Sequence, residues 1–144
     1  MSKPSLDQRR AAHALKRVEE LEKEDAKIAG RYVGYVKALP ATILSNGLGQ
    51  ALATELAARD EAHDRLAEHV ARWLLEAPGS PYGKDLPKAD HAKVLLNRIV
   101  VGDQRAYVWG QAEAIAYVGW LKKLAVAFLS KDSPSKQEAQ GDAG

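Results

Sequence analysis

Cysteine is absent from this chain of 144 residues, and its absence excludes disulfides, zinc–thiolate sites and thiol nucleophiles together. No apolar run approaches the roughly 20 residues that a membrane-spanning helix needs. The polar residues 1–5 carry no signal-peptide pattern. Neither charge dominates, because 21 lysines and arginines face 19 aspartates and glutamates. Together these features predict a cytoplasmic protein without a strong, free-standing affinity for nucleic acid.

Strand patterns are also nearly missing, since apolar and polar residues seldom alternate. Apolar residues instead recur at helical spacing along most of the chain. The predicted helices span residues 6–39, 40–45, 48–76, 88–101 and 104–129. A capping box at Ser5 and Gln8 begins the first helix, and Asp103 is the expected N-cap of the last. We therefore expect an all-α fold, a single compact helical bundle of about five to six helices.

The chain has the length of one domain. Prolines and glycines mark residues 77–87 as its longest internal loop. Residues 131–144 are small and polar, which is typical of disordered termini. We therefore predict a helical domain over residues 1–130 and a disordered C-terminal tail over residues 131–144.

Residues 39–53 combine a proline, an Asn-Gly pair and a second glycine. Pro40 fits the first turn of a short helix, where its missing N–H is not needed. Asn46 and Gly47 predict the end of that helix, because both residues tolerate left-handed backbone. Gly49 indicates that another backbone approaches closely. The pattern favours a helix–turn–helix corner, and a phosphate held at the next helix start is the weaker alternative.

The same stretch resembles the signature of a known family. This family is the small, all-helical subunit of the type III-B CRISPR RNA-silencing complex, the fifth-numbered subunit of the Cmr effector. The matching residues are Leu39, Pro40, Ile43, Asn46, Gly47, Leu48, Gly49, Gln50, Leu52 and Ala53. Residues 113–115 and 120–125, the latter starting at Trp120, resemble the family's C-terminal pattern, and Trp73 with Leu74 gives a third match.

The resemblance implies a non-catalytic, architectural role in antiviral defence. In such complexes a CRISPR RNA lies along a filament of backbone subunits, and small subunits stack beside it to form a channel for the target RNA. The implied partners are the other subunits, copies of this chain, and CRISPR and target RNA contacted through the phosphate backbone. The resemblance implies no membrane partner, no cofactor and no nuclease activity, because target cleavage belongs to the backbone subunit.

Basic side chains project from one side of the first predicted helix, and Lys122 with Lys123 forms a second basic spot. A mixed, solvated face is one interpretation. The other is a surface that follows an anionic backbone without reading its sequence. On that second interpretation, the candidate RNA-contacting residues are Lys122, Lys123, Arg105, Lys37, Lys16, Arg17 and Arg31.

The last predicted helix is apolar on two faces. One stripe contains Tyr107, Tyr117 and Leu121, and the second contains Trp109 and Trp120. A helix of this kind is either central in its bundle or shared with another chain. Trp109 and Trp120 are accordingly the candidate interface anchors.

A search for catalytic groups finds none with the required spacing. The four histidines, His13, His63, His69 and His91, share no metal-ligand pattern. Residues 60–68 hold four carboxylates, but acid-before-base pairs, Glu61 with Arg65 and Glu68 with Arg72, favour a solvated helix face over a metal site. We expect neither an enzyme nor a metal site. Two alternatives stay open: a helical protein–protein adaptor without RNA contact, and a type III-A CRISPR small subunit.

Overall fold

In the computed structural model, which describes residues 2–129, the chain folds into six helices without a strand in that range. The helices are α1 (Leu6–Glu22), α2 (Ala26–Asn46), α3 (Leu48–Ala57), α4 (Glu61–Glu76), α5 (His91–Val101) and α6 (Gln104–Leu129). They contain 79% of the described residues, so the all-α prediction is confirmed. The predicted tail over residues 131–144 lies outside the described residues.

The predicted first helix over residues 6–39 is wrong, because the chain turns between α1 and α2. The turn follows a run of charged residues, and the Asp25 carboxylate caps α2 by accepting the N–H of Lys27 at 2.8 Å. The apolar spacing continues across the turn because α1 and α2 both pack against α6. The capping box that begins α1 is confirmed, with Gln8 N–H donating to Ser5 Oγ at 3.0 Å.

Three further helix boundaries differ from the prediction, one of them the start of α5, which is His91 instead of residue 88. Pro40 does not begin a short helix but lies inside α2, where buried Leu39 and Ile43 hold the helix against the core. The predicted helix over residues 48–76 is divided into α3 and α4 at Arg59, which has φ 53°. A positive φ takes the chain out of the helix. The Asp60 carboxylate then caps α4 through the N–H of His63.

Helix α6 lies at the centre of the bundle and contacts α1, α2, α3 and α4. Tyr117, Leu121 and other buried residues line its inner faces. Trp109 and Trp120 are half-buried and pack against the same core. The two apolar stripes of α6 therefore have partners within the chain, as expected of a central helix. None of the helices in residues 2–129 is long and apolar enough to cross a membrane.

Candidate nucleic-acid interface

The corner between α2 and α3 is held by a side chain from α6. Gln111 donates through Nε2 to the carbonyl of Ile43 at 2.9 Å, and its Oε1 accepts the N–H of Leu48 at 2.8 Å. The amide therefore satisfies the N–H of Leu48, which has no intrahelical partner at the start of α3, and adds a second hydrogen bond to the Ile43 carbonyl, which also accepts the N–H of Gly47 at 2.8 Å. The signature stretch thus forms a structural joint with α6.

Tyr107 also holds this joint, and its contacts show which of the two glycines cannot be replaced without strain. Its hydroxyl accepts the N–H of Gly49 at 3.0 Å and lies 2.8 Å from the position of a Cβ added at Gly47. Gly47 has φ 89° and ψ 158°, a conformation found almost only in glycine. The prediction that a backbone closely approaches Gly49 is wrong, because an added Cβ there would meet only side chains, at 3.7 Å or more.

The same contacts discriminate between the two interpretations of the corner. A phosphate at a helix start needs free backbone N–H groups. The N–H groups of Leu48 and Gly49 are both bonded to side chains of α6. The corner is therefore a helix–turn–helix joint in which these two N–H groups are not available to an anion. Asn46 and Gln50, the polar residues among those that match the family signature, are exposed beside the corner.

Three of the candidate RNA-contacting residues meet on one surface. Lys37 of α2 and Lys122 and Lys123 of α6 line a hollow of about 370 Å³, together with Val126. The side chains converge because α2 and α6 pack side by side. None of these lysines forms an ion pair with another residue in the range 2–129. We call this surface the lysine groove.

The other four candidates lie apart from the lysine groove. Arg105 is exposed in the first turn of α6, about 25 Å along the helix from Lys122. Lys16 is exposed on α1, and Arg31 pairs with an Asp60 oxygen at 3.3 Å. Arg17 is only 3% exposed and bonds to Glu20 at 3.0 Å, so its guanidinium is not a surface cation.

A second, smaller hollow adjoins the lysine groove. It measures about 230 Å³ and is lined by Asp7, Ala116, Gly119, Trp120 and Lys123. The indole Nε1 of Trp120 donates to Asp7 Oδ1 at 3.0 Å, and Arg10 also donates to that oxygen, at 3.1 Å. These hydrogen bonds, first the one from Trp120, lower the pKa of the Asp7 carboxyl.

The family of this chain follows from a direct match. The family model described as CRISPR-associated protein (Cas_Cmr5) matches residues 6–128. The chain belongs to the Cmr5 family. The resemblance based on the signature stretch is thereby confirmed, and Cmr5 membership implies a place in a CRISPR Cmr complex with other subunits. The matched range contains the corner, the lysine groove and all three tryptophans.

Inside this Cmr5-family chain, one buried carboxylate joins three helices. Glu113 of α6 is 6% exposed. It accepts two hydrogen bonds from Arg10 of α1, at 2.6 Å from Nε and 2.9 Å from Nη2. It also accepts the indole N–H of Trp73 of α4 at 2.8 Å. Glu113 and Trp73 both belong to the matched motifs, so these two motif residues stabilise the packing of the core.

The histidines serve as core or rim partners of neighbouring side chains. His13 lies between Tyr117 and Glu76, and burial, followed by the nearby Arg17, lowers its pKa to about 4. His69 bonds to the Tyr32 hydroxyl at 2.8 Å, and burial lowers its pKa to about 3. In residues 2–129, histidines and carboxylates do not gather in any group of three that could hold a metal ion.

The carboxylates of α4 are held by specific contacts. Glu61 pairs with Arg65 at 2.9 Å, as predicted. The predicted pairing of Glu68 with Arg72 is wrong, because Glu68 reaches across to α5. Its two oxygens accept the N–H groups of His91 and Ala92 at 2.9 and 2.8 Å. Glu68 therefore caps α5, whose own N-cap residue supplies no side-chain hydrogen bond.

Proposed function

We propose that this chain is a non-catalytic structural subunit of a type III-B CRISPR ribonucleoprotein complex that targets RNA in antiviral defence. It stacks with copies of itself beside the backbone filament and stabilises the guide–target RNA through contacts that do not read sequence. The convergence of Lys37, Lys122 and Lys123 on one groove carries the RNA part of this proposal. Cmr5 membership supports its place in the complex.

The charge distribution favours a local RNA contact over general affinity. The chain has a formal net charge of only +2, so its overall field attracts RNA weakly. Three lysine side chains line the lysine groove, and none of them has a carboxylate partner in the described part of the chain. Lysine ammonium groups neutralise phosphates as point charges and release condensed counterions. Several copies along one RNA would add their weak contacts into strong binding.

Exposed apolar side chains at opposite ends of α6 support the stacking part of the proposal. Val100 and Val101 end α5 just before α6 begins, and Val101 is 83% exposed. Phe128 lies at the other end of α6 and is 43% exposed. The 26 residues of α6 span about 39 Å. Two different patches at opposite ends suit a head-to-tail interface, which builds filaments when the rotation does not close a ring.

The RNA contact is tested by charge reversal in the reconstituted Cmr complex. We expect Lys122→Glu with Lys123→Glu to weaken RNA binding. The slope of the logarithm of the binding constant against the logarithm of the salt concentration should become shallower by about 1.5 to 2. The matched control is Lys88→Glu with Lys93→Glu. It changes the net charge by the same amount, at one lysine just before α5 and one on α5. An unchanged affinity and slope in the groove variant would favour the adaptor interpretation without RNA contact.

The stacking is tested by two variants that block opposite ends. Val101→Lys and Phe128→Lys should each reduce the self-association of the chain, measured by sedimentation velocity. An equimolar mixture of the two variants should form dimers, because each variant retains the intact end that the other lacks. It should not form oligomers larger than dimers. Val108→Lys, at an exposed valine on the side of α6, is the control. Self-association equal to wild type in both end variants would contradict head-to-tail stacking.

A further inference from the structure

We propose that Trp120 is a stacking platform for an unpaired base, so that the lysine groove and the adjoining hollow together bind single-stranded RNA. This inference rests on the proposed function and specifies its ligand. It also gives Trp120 a role in contacting RNA, whereas the sequence pattern indicated an anchor for a protein partner. The geometry, the charge and the chemistry of the aromatic ring each support it.

The first observation is that the two hollows share a wall. Lys123 lines the lysine groove and also lines the hollow that contains Trp120. An RNA strand whose phosphates lie beside Lys37 and Lys122 therefore passes Lys123 and reaches the indole. The Trp120 ring is partly exposed and lines this hollow, so part of the indole is accessible from the hollow.

The second observation is that the indole is held in place before any ligand arrives. Its Nε1 donates to Asp7 at 3.0 Å, and the buried part of the side chain packs against the core. Among the described residues that line the two hollows, Asp7 is the only acidic one, and Arg10 partly neutralises it at 3.1 Å. The surface beside the ring therefore stays electropositive. A fixed aromatic ring next to such a surface is the arrangement that binds single strands, because every base has a π-face.

The ring also discriminates between single and double strands. In a duplex the bases stack on each other and present only their edges, so none is available to lie on an indole. The lysines alone bind either form through phosphates. We therefore expect the Trp120 hollow to select unpaired nucleotides, either in a target before pairing or at a position left unpaired in the guide–target duplex.

The test uses the intrinsic fluorescence of Trp120 in the full chain at low salt. Trp109→Phe removes the other half-buried indole and leaves Trp73, which is buried. Titration with a single-stranded oligouridylate should quench the emission to saturation, and a blunt RNA duplex should quench it far less at equal phosphate concentration. Lys37→Gln should weaken the quenching titration, and the control Lys93→Gln on α5 should not.

A second measurement compares affinities by the anisotropy of labelled RNA. Trp120→Leu should weaken single-strand binding by about 5- to 100-fold and leave duplex binding unchanged. Trp120→Phe, which keeps an aromatic ring, should have a single-strand affinity between those of wild type and Trp120→Leu. Thermal melting checks that both variants fold. If a variant fails to fold, the quenching experiment still decides, because it retains Trp120.

Three results would overturn the inference. Equal quenching by duplex and single strand would show contact without base stacking. Anisotropy that reports single-strand binding without any quenching would refute the stacking platform and leave the phosphate contacts of the proposed function standing. Loss of assembly with other Cmr subunits in Trp120→Leu, at unchanged RNA affinity, would assign the ring to a protein interface instead.

Discussion

Replacement of Gly47 by alanine tests whether the signature stretch is a structural joint. At φ 89° and ψ 158° an alanine is strained by about 1–3 kcal/mol. Its Cβ would also lie 2.8 Å from the Tyr107 hydroxyl, so that Tyr107 must move and lose its bond to Gly49 N–H. A lost hydrogen bond of this kind adds about 1 kcal/mol. We expect the free energy of unfolding to fall by about 2–4 kcal/mol.

The assay is urea unfolding followed by circular dichroism, with thermal melting beside it. At this chain length about 2–4 kcal/mol corresponds to a melting temperature lower by roughly 6–12 °C. Gly49→Ala is the matched control, because Gly49 is helical and an added Cβ there meets only ordinary contacts at 3.7 and 3.9 Å. We expect that control to be neutral or more stable by about 0.5–1 kcal/mol.

A double variant separates backbone strain from the clash. Tyr107→Phe removes the hydroxyl, so Gly47→Ala should cost less in that background than in the wild type. The reasoning would be refuted if Gly47→Ala were as stable as wild type. It would also be refuted if Gly49→Ala were destabilised to the same extent, because the two glycines would then be equivalent.

Two further predictions concern the buried polar groups. Glu113→Gln should lower the free energy of unfolding by about 3 kcal/mol, because it removes the buried charge that balances Arg10 and puts an NH₂ group against the N–H donors of Arg10 and Trp73. Urea unfolding measures this, and a change under 1 kcal/mol would contradict it. His13 and His69 have folded pKa values of about 4 and about 3, below their ordinary value, so the unfolded chain gains protons first as the pH falls. The contribution of each histidine to stability should therefore be nearly full at pH 7 and should fall by roughly 2 kcal/mol between pH 7 and 5, as the pH passes below the unfolded-state pKa of about 6.5. His69→Gln should roughly halve the total loss, and an unchanged pH dependence would refute the assignment.

Local signals predicted the starts of α1 and α6 correctly, since the capping contacts there span only a few residues. The capping box at Ser5 and Gln8 and the N-cap at Asp103 are both present. The turn between α1 and α2 escaped prediction because both helices face α6, so the apolar spacing passes through the turn unchanged. Pro40 was misplaced for a related reason, since tertiary packing keeps α2 continuous where a local rule predicts a helix start.

The candidate site depended more on contacts between distant parts of the chain. The identities of Lys37, Lys122 and Lys123 were predicted, but their convergence required the packing of α2 against α6. Gln111 and Tyr107 were missed as corner residues because their partners lie 58 to 68 residues away in sequence. Gln111 is the one neutral amide in residues 106–112 of α6, which are otherwise apolar or aromatic, and this was the signal that could have pointed to it. The burial of Arg17 depends on its neighbours on other helices and was not readable from its position on α1.

The central claim, that the chain works as an RNA-contacting subunit of a Cmr complex, is tested most directly by affinity purification of the tagged full chain from its native host. Mass spectrometry identifies the bound proteins, and sequencing identifies the bound RNA. The account predicts recovery of the other Cmr subunits with short CRISPR RNAs from the wild-type chain. Recovery of a single unrelated protein without RNA would contradict it.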